Sequence, residues 1–274
     1  MNKVAFNLLD LTFEQLKEAN KTALIPFITV GDPNPEITVD IIATLEEAGA
    51  DVIELGVPYS DPLADGPVIQ RASQRALEYE ITIETCIETA KAARNQGVKL
   101  PFVLFTYFNP VLQYESLQAF FNAVSEAGIS GLIIPDLPFE ESEEILALAD
   151  QANIYLIPLI APTSNERIAA ILSRARGFIY CVSSLGVTGE RASFYNGVHA
   201  FIENVKSITA LPVAVGFGIS TNEQVREFAE VCDGVVVGSA IVRKIEESIP
   251  LLIQDETKSE GLLQIRNFVS QLKS

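Results

Sequence analysis

DVIELGVPYSDPLADGPVIQ, residues 51–70, is the stretch on which the reading of this chain turns. It opens as a short apolar run, Val52-Ile53, which Glu54 interrupts at a position that looks buried. The loop behind it is stiffened by Pro58 and Pro62 and closed by Gly66, and Pro67 is placed to start a helix. Asp51, Asp61 and Asp65 stand in or beside the same loop. A carboxylate at the carboxyl end of a strand, facing a loop with a second carboxylate, is a layout for acid–base chemistry. The spacing fits an ion-paired strand end beside a solvated loop equally well.

Outward from that stretch the chain alternates. Near-continuous apolar runs at 23–30, 51–55, 101–106, 131–135, 154–160, 178–182, 212–215 and 234–237 read as strands of a parallel sheet buried on both faces. Helices are predicted over 35–48, 82–95, 116–127, 140–152, 165–175, 195–208, 221–230, 239–245 and 262–272. In the first of these, Ile37, Ile41, Ile42 and Leu45 keep the helical period and Gly49 closes it. Residues 1–7 read as a loose end, and the T-x-x-Q of Thr12 to Gln15 predicts the start of an extra N-terminal helix. Eight strand–helix units in 274 residues predict an α/β fold. The expectation is a (β/α)8 TIM barrel as a single domain over 1–274, with that N-terminal helix added. A doubly wound open sheet is the alternative. It usually carries a glycine fingerprint after its first strand, where this chain has Gly31-Asp32-Pro33.

Composition narrows the function. A formal net charge of -17 disfavours nucleic-acid binding and repels anions at long range. A bound anion would need a local positive site, which helix N-termini supply without lysine. No run of eighteen apolar residues and no signal-peptide pattern occur, so no membrane span is expected and a cytoplasmic location is. Cys86, Cys181 and Cys232 are widely spaced without a CxxC, and reduced, buried thiols are expected rather than a disulfide or zinc site.

Strand ends are where a barrel places its chemistry. Here they offer Phe27, Thr29 and Asp32, then Glu54, then Thr106, Tyr107 and Asn109, then Asp136, then Tyr180, Ser183 and Ser184. The last two strands end in the run Gly216-Phe217-Gly218-Ile219-Ser220 and in Gly238-Ser239. Glycines on these two adjacent loops fit a phosphate site built from backbone N–H groups. The alternative is a capping box at Ser220 and Glu223 with glycines for a tight turn. A third loop, Leu185-Gly186-Val187-Thr188-Gly189, could close over the site. No lysine ends a strand, which disfavours Schiff-base chemistry. The sole histidine, His199, falls in an outer helix, so a Ser-His-Asp triad is excluded, and no metal-ligand set assembles clearly. Carboxylate acid–base chemistry on a phosphorylated substrate remains, carried by Glu54 and Asp65.

ELGVPYSDPLADGP, YFNPVLQY, PDLP, SSLGVTG, GFGIS and VVVGSAIV together resemble the tryptophan synthase alpha subunit family, over about 23–244. The resemblance implies a barrel lyase that cleaves indole-3-glycerol phosphate to indole and glyceraldehyde 3-phosphate. It implies Glu54 and Asp65 as catalytic carboxylates and Gly189, Gly218 and Gly238, with Ser239, at the phosphate; Thr188 counts with them as a substrate contact. Phe27, Tyr107, Tyr180 and Phe217 match the pocket around the indole ring. No cofactor and no metal is implied for this chain. Pyridoxal phosphate is expected only in a beta subunit, which joins in an alpha2-beta2 tetramer and receives indole through a tunnel. Glu115 and Glu190 depart from the family's pattern and touch loop detail only. A free-standing lyase without a beta partner and a non-catalytic barrel subunit are the alternatives.

Overall fold

The structure, a computed structural model, describes residues 6–183, 197–216 and 218–273, with Asn165 described by its backbone alone. Among these residues nine parallel strand segments form one sheet: β1 Ala23–Thr29, β2 Ile53–Gly56, β3 Phe102–Phe105, β4 Ile129–Ile133, β5 Tyr155–Leu156, β6 Leu159–Ile160, β7 Ile179–Val182, β8 Val213–Gly216 and β9 Gly234–Val237. Their order is β5-β4-β3-β2-β1-β9-β8-β7-β6. The two ends of that list, β5 and β6, are separated only by Ile157 and Pro158. The Ile157 N–H bonds Leu132 O at 2.9 Å, and Pro158 O accepts from the Tyr180 N–H at 3.1 Å. One strand thus pairs with β4 through its first half and β7 through its second, which closes the sheet into a barrel. Pro158 has no N–H for the ladder, so the strand at 154–160 is broken where it changes neighbour.

Alternation along the strands sorts the core into two layers. Ile25, Phe27, Val52, Val103, Phe105, Ile133 and Val236 point inward and pack with one another. Leu24, Ile28, Ile53, Leu55, Leu104 and Leu132 point outward under the helices. Glu54 therefore follows Val52 onto the inner face, and period-two geometry alone puts a carboxyl inside the barrel.

The N-terminal helix plugs the bottom. It runs Leu8–Glu18 and buries Leu9, Phe13 and Leu16, with the Phe13 and Phe178 ring centroids 5.5 Å apart. Its cap is Asn7, whose side chain accepts from the Leu9 N–H and donates to Ser130 O and Asn153 O. The capping box expected at Thr12 is corrected, since Thr12 and Gln15 lie inside the helix, and Asn7 is buried rather than loose. The T-x-x-Q pattern recurs by chance within helices, whereas Asn7 is selected by carbonyls more than a hundred residues away.

Three other local expectations shift. The capping box before helix Asn222–Ala229 is Thr221 with Gln224, not Ser220 with Glu223. The helix after β9 extends over Ser239–Leu252 instead of stopping near 245. The expected helix at 165–175 is a 3-10 turn, Pro162–Arg167, followed by a short helix, Ile168–Leu172. Among the described residues no helix is long and apolar enough to cross a membrane.

Candidate active site

Phe27, Glu54, Asp65, Ile69, Phe105, Tyr180, Gly218, Val236, Gly238 and Ser239 converge on one small cavity of about 30 Å3. Glu54 sits at the carboxyl end of β2, paired in register with Phe27 of β1 and Val103 of β3. It is 1% exposed, and its Oε1 has no hydrogen-bond partner among the described residues. An unpaired buried carboxylate is expensive, so burial raises the Glu54 carboxyl to about 8 and keeps it protonated near neutrality. Asp65 comes from the loop before helix Pro67–Leu77 and is also buried. Burial raises it to about 6, while a hydrogen bond from Tyr107 pulls it down. One cavity thus holds an acid that is neutral at pH 7 and one that is ionised there.

The other candidate acids go elsewhere. Asp51 lies at the opposite end of β2, where it accepts from the Leu24 N–H at 2.8 Å and from Lys273 Nζ at 2.7 Å. Asp61 is exposed. Asp32, buried at the end of β1, is gripped by Arg75. Asp136 accepts from the Phe108 N–H at 2.9 Å and so caps the short helix Phe108–Leu112. Thr106 Oγ1 donates to Tyr107 O and Ser183 Oγ to Gly216 O, both within the strand-end backbone. His199 is a surface residue beside Glu227, with its ring on Phe228. The three cysteines are free and buried, with burial pushing Cys181 and Cys232 up to about 12.

The aromatic walls depend on two glycines whose packing role the motifs did not disclose, Gly56 and Gly216. A Cβ on Gly56 would meet the Phe27 ring at 2.4 Å, and one on Gly216 would meet Tyr180 Oη at 2.2 Å. Only glycine lets these rings lie against the neighbouring strands. Their signal is legible in principle, as a glycine ending an apolar strand run marks a close approach. Tyr107 does not line the cavity; it stands behind Asp65, stacked on Tyr59 with centroids 4.8 Å apart. Thr188, Gly189 and Phe217 lie outside the described residues.

The last two loops differ in why they hold glycine. Gly218 has φ +100, a conformation that side chains oppose. Gly238 has φ -106, and an added Cβ would make only ordinary contacts, Phe27 Cβ being nearest at 3.6 Å. The fold leaves room for a side chain at Gly238. This residue begins helix Ser239–Leu252 with no side-chain cap and no acid in the first turn, so its positive end faces the cavity uncompensated. No lysine or arginine lines the cavity among the described residues. A larger cleft of about 230 Å3 lies outside the barrel wall, between Pro138, Phe139, Leu156 and Arg174, and no carboxylate lines it.

This geometry has counterparts among known proteins. A profile described as tryptophan synthase alpha chain matches residues 13–273. The tryptophan synthase alpha chain of Halalkalibacterium halodurans is 52% identical over 261 residues, covering 95% of this chain and 98% of that one. The Bacillus subtilis alpha chain is 49% identical over 251 residues, covering 92% and 94%. Among solved structures, tryptophan synthase subunit alpha from Legionella pneumophila superposes with a TM-score of 0.88 at 37% identity, covering 98% of each chain. A chain of Mycobacterium tuberculosis tryptophan synthase does so with 0.85 at 35%, covering 97% of this chain and 96% of that one. A closed parallel barrel with paired acids at its carboxyl face, matched in sequence and backbone over nearly its whole length, places this chain in the tryptophan synthase alpha chain family.

Proposed function

We propose that this chain cleaves indole-3-glycerol phosphate by carboxylate acid–base catalysis, with Glu54 and Asp65 as the catalytic residues. The observation that carries the reading is Glu54: a protonated carboxyl on a rigid strand end, with an oxygen inside the cavity that has no partner among the described residues. Protonating carbon C3 of the indole ring makes the ring an electron sink, which a Schiff base would otherwise provide. The resulting Glu54 carboxylate then takes the proton from the hydroxyl on the adjoining side-chain carbon. The bond from that carbon to C3 breaks, releasing indole and the aldehyde. Asp65, ionised at pH 7, stabilises the positive charge that grows on the ring N–H. A raised pKa suits Glu54 to donating a proton near neutrality.

Phe27 and Tyr180, with Phe105 and Val236, supply apolar walls for the ring. The backbone at Gly189, Gly218, Gly238 and Ser239 receives the phosphate at the helix N-terminus, Thr188 is a further substrate contact, and Phe217 belongs with the walls around the ring. No cofactor acts in this chain. A beta subunit carrying pyridoxal phosphate docks on the carboxyl face, as half of an alpha2-beta2 tetramer in the cytoplasm, and takes up the indole. Leu63 and Leu112 support that surface: they are 76% and 55% exposed, on the loop after β2 and on the short helix after the adjacent β3. The rest of the 107–114 segment folds back on the barrel, since Val111 is buried and Phe108 and Tyr114 pack on the outer core.

An indole-release assay on the wild type, Glu54→Gln and Asp65→Asn, with and without a beta subunit, tests the reading. General acid–base help worth about 10²–10⁴-fold should vanish in Glu54→Gln. Near wild-type turnover by Glu54→Gln rejects the assignment, and a rate indifferent to the beta subunit favours a free-standing lyase.

A further inference from the structure

We propose that Tyr107 is a positioning residue for Asp65, seating the Leu63–Asp65 segment with its hydroxyl oxygen and donating its hydroxyl proton to the Asp65 carboxylate. This rests on the reading of Asp65 as a group that acts in its ionised form.

The geometry assigns the direction of each bond. The Ala64 N–H donates to Tyr107 Oη at 2.9 Å, and the Leu63 backbone acts on the same oxygen. A phenol oxygen carries two lone pairs and one proton. With backbone N–H groups directed at the lone pairs, the proton is left for Asp65 Oδ2, 3.3 Å away. That distance is long for an O–H···O bond, and such contacts tighten when a loop closes on substrate. The tyrosine itself is held: it is 2% exposed, lies two residues past the end of β3, and its ring is stacked on Tyr59 at an interplanar angle of 26°.

The hydroxyl opposes burial at Asp65. Burial raises Asp65 to about 6, and the Tyr107 bond stabilises the ionised form. Among the described residues, the titratable groups on neighbouring walls are Glu54 from β2 and Tyr180 from β7; the helix start at Gly238-Ser239 carries no ionisable side chain in its first turn. Glu54, raised to about 8, is neutral around pH 6, and burial raises Tyr180 as well. On the helix that follows Asp65, Gln70 donates to the main-chain oxygen of Asp65, and Arg71 and Arg75 turn to Glu246 and Asp32. The substrate phosphate titrates at about 6 as well, but identically in every variant; a limb near pH 6 that moves with the side chain at position 107 therefore reports Asp65.

The test is the pH profile of kcat/KM for indole release by the wild type, Tyr107→Phe and Asp65→Asn. Tyr107→Phe keeps the ring and its stacking. Its acid limb should move up by roughly half a unit to one unit, with a loss near pH 6 several times greater than at pH 7.5. Placing 3,5-difluorotyrosine at position 107 makes a stronger donor in an intact ring and should move the limb down. A limb that stays in place in both variants, or a loss of equal size at every pH, overturns the inference while an inactive Asp65→Asn upholds the role of Asp65. If Asp65→Asn keeps both its activity and its acid limb, the reading of Asp65 fails and this inference fails with it.

Discussion

Arg75 holds Asp32 through two parallel bonds of 2.8 Å and reaches Glu246 at 2.7 Å with its remaining edge. Arg71 grips the same Glu246 at 2.9 and 2.8 Å. These four side chains join the loop after β1, the helix that follows Asp65, and the helix that starts at Gly238-Ser239. Arg71 and then Arg75 hold Glu246 down near about 2. Burial raises Asp32 overall, against the pull of Arg75.

Removing Arg75 should therefore cost far more than removing Arg71. Arg75→Met strands the 2% exposed Asp32, and losing the partner of a buried charge costs on the order of 3 kcal/mol. Arg71, 47% exposed, forms a surface pair worth about 1 kcal/mol or less. Urea unfolding of both variants at pH 7 checks the contrast, which fails if the two losses are equal.

Glu54→Gln should be more stable than the wild type at pH 7, although inactive. The folded pKa is raised, from 4.5 to about 8, so the native state binds more protons than the unfolded chain in that window. Stability then falls as pH rises through it, by on the order of 3 kcal/mol at pH 7. The advantage of Glu54→Gln should shrink toward zero below pH 4.5. Unfolding curves at pH 4.5, 6, 7 and 8 measure it, and a constant difference would show that Glu54 carries no such penalty.

Gly238→Ala should fold like the wild type and weaken binding of a phosphate-bearing substrate analogue about tenfold, a change of 1.4 kcal/mol. Gly218→Ala should lose about 1 kcal/mol of stability from its backbone angle alone. Calorimetric titration with the analogue, alongside thermal unfolding, separates the two glycines. Equal destabilisation by both would remove the distinction drawn from their geometry.

Leu112→Asp and Leu63→Asp should weaken association with a beta subunit about ten- to a hundredfold, the value of burying one leucine. Each should change stability by less than about 0.5 kcal/mol, since both side chains are exposed in the free chain. Sedimentation of the mixed subunits reads the first effect and denaturant unfolding the second. Undiminished association of both variants would place the docking surface elsewhere.

The alternation of strands and helices was legible because it is written locally. Strands buried on both faces are near-continuously apolar, as in Phe102–Phe105 and Gly234–Val237, and Glu54 within Ile53–Gly56 stands out against that background. Helix caps were harder to read: the boxes expected at Thr12 with Gln15 and at Ser220 with Glu223 are displaced to Asn7 and to Thr221 with Gln224, because many helical positions match the pattern and packing selects among them. The paired carboxylates and glycine loops followed from placing those elements in a barrel.

Tertiary structure alone decided what surrounds each acid. Asp51 and Glu54 are three residues apart, yet one faces Lys273 across 222 positions of sequence and the other the barrel cavity. Asp65 is drawn in by Tyr107 from 42 positions away, and Asn7 caps its helix against carbonyls 123 and 146 positions off. Gly56 and Gly216 are needed only because the Phe27 and Tyr180 rings come to rest on them. Period and propensity assign each residue a face of its own element, whereas burial, pKa and hydrogen-bond direction depend on what the other strands bring to that face.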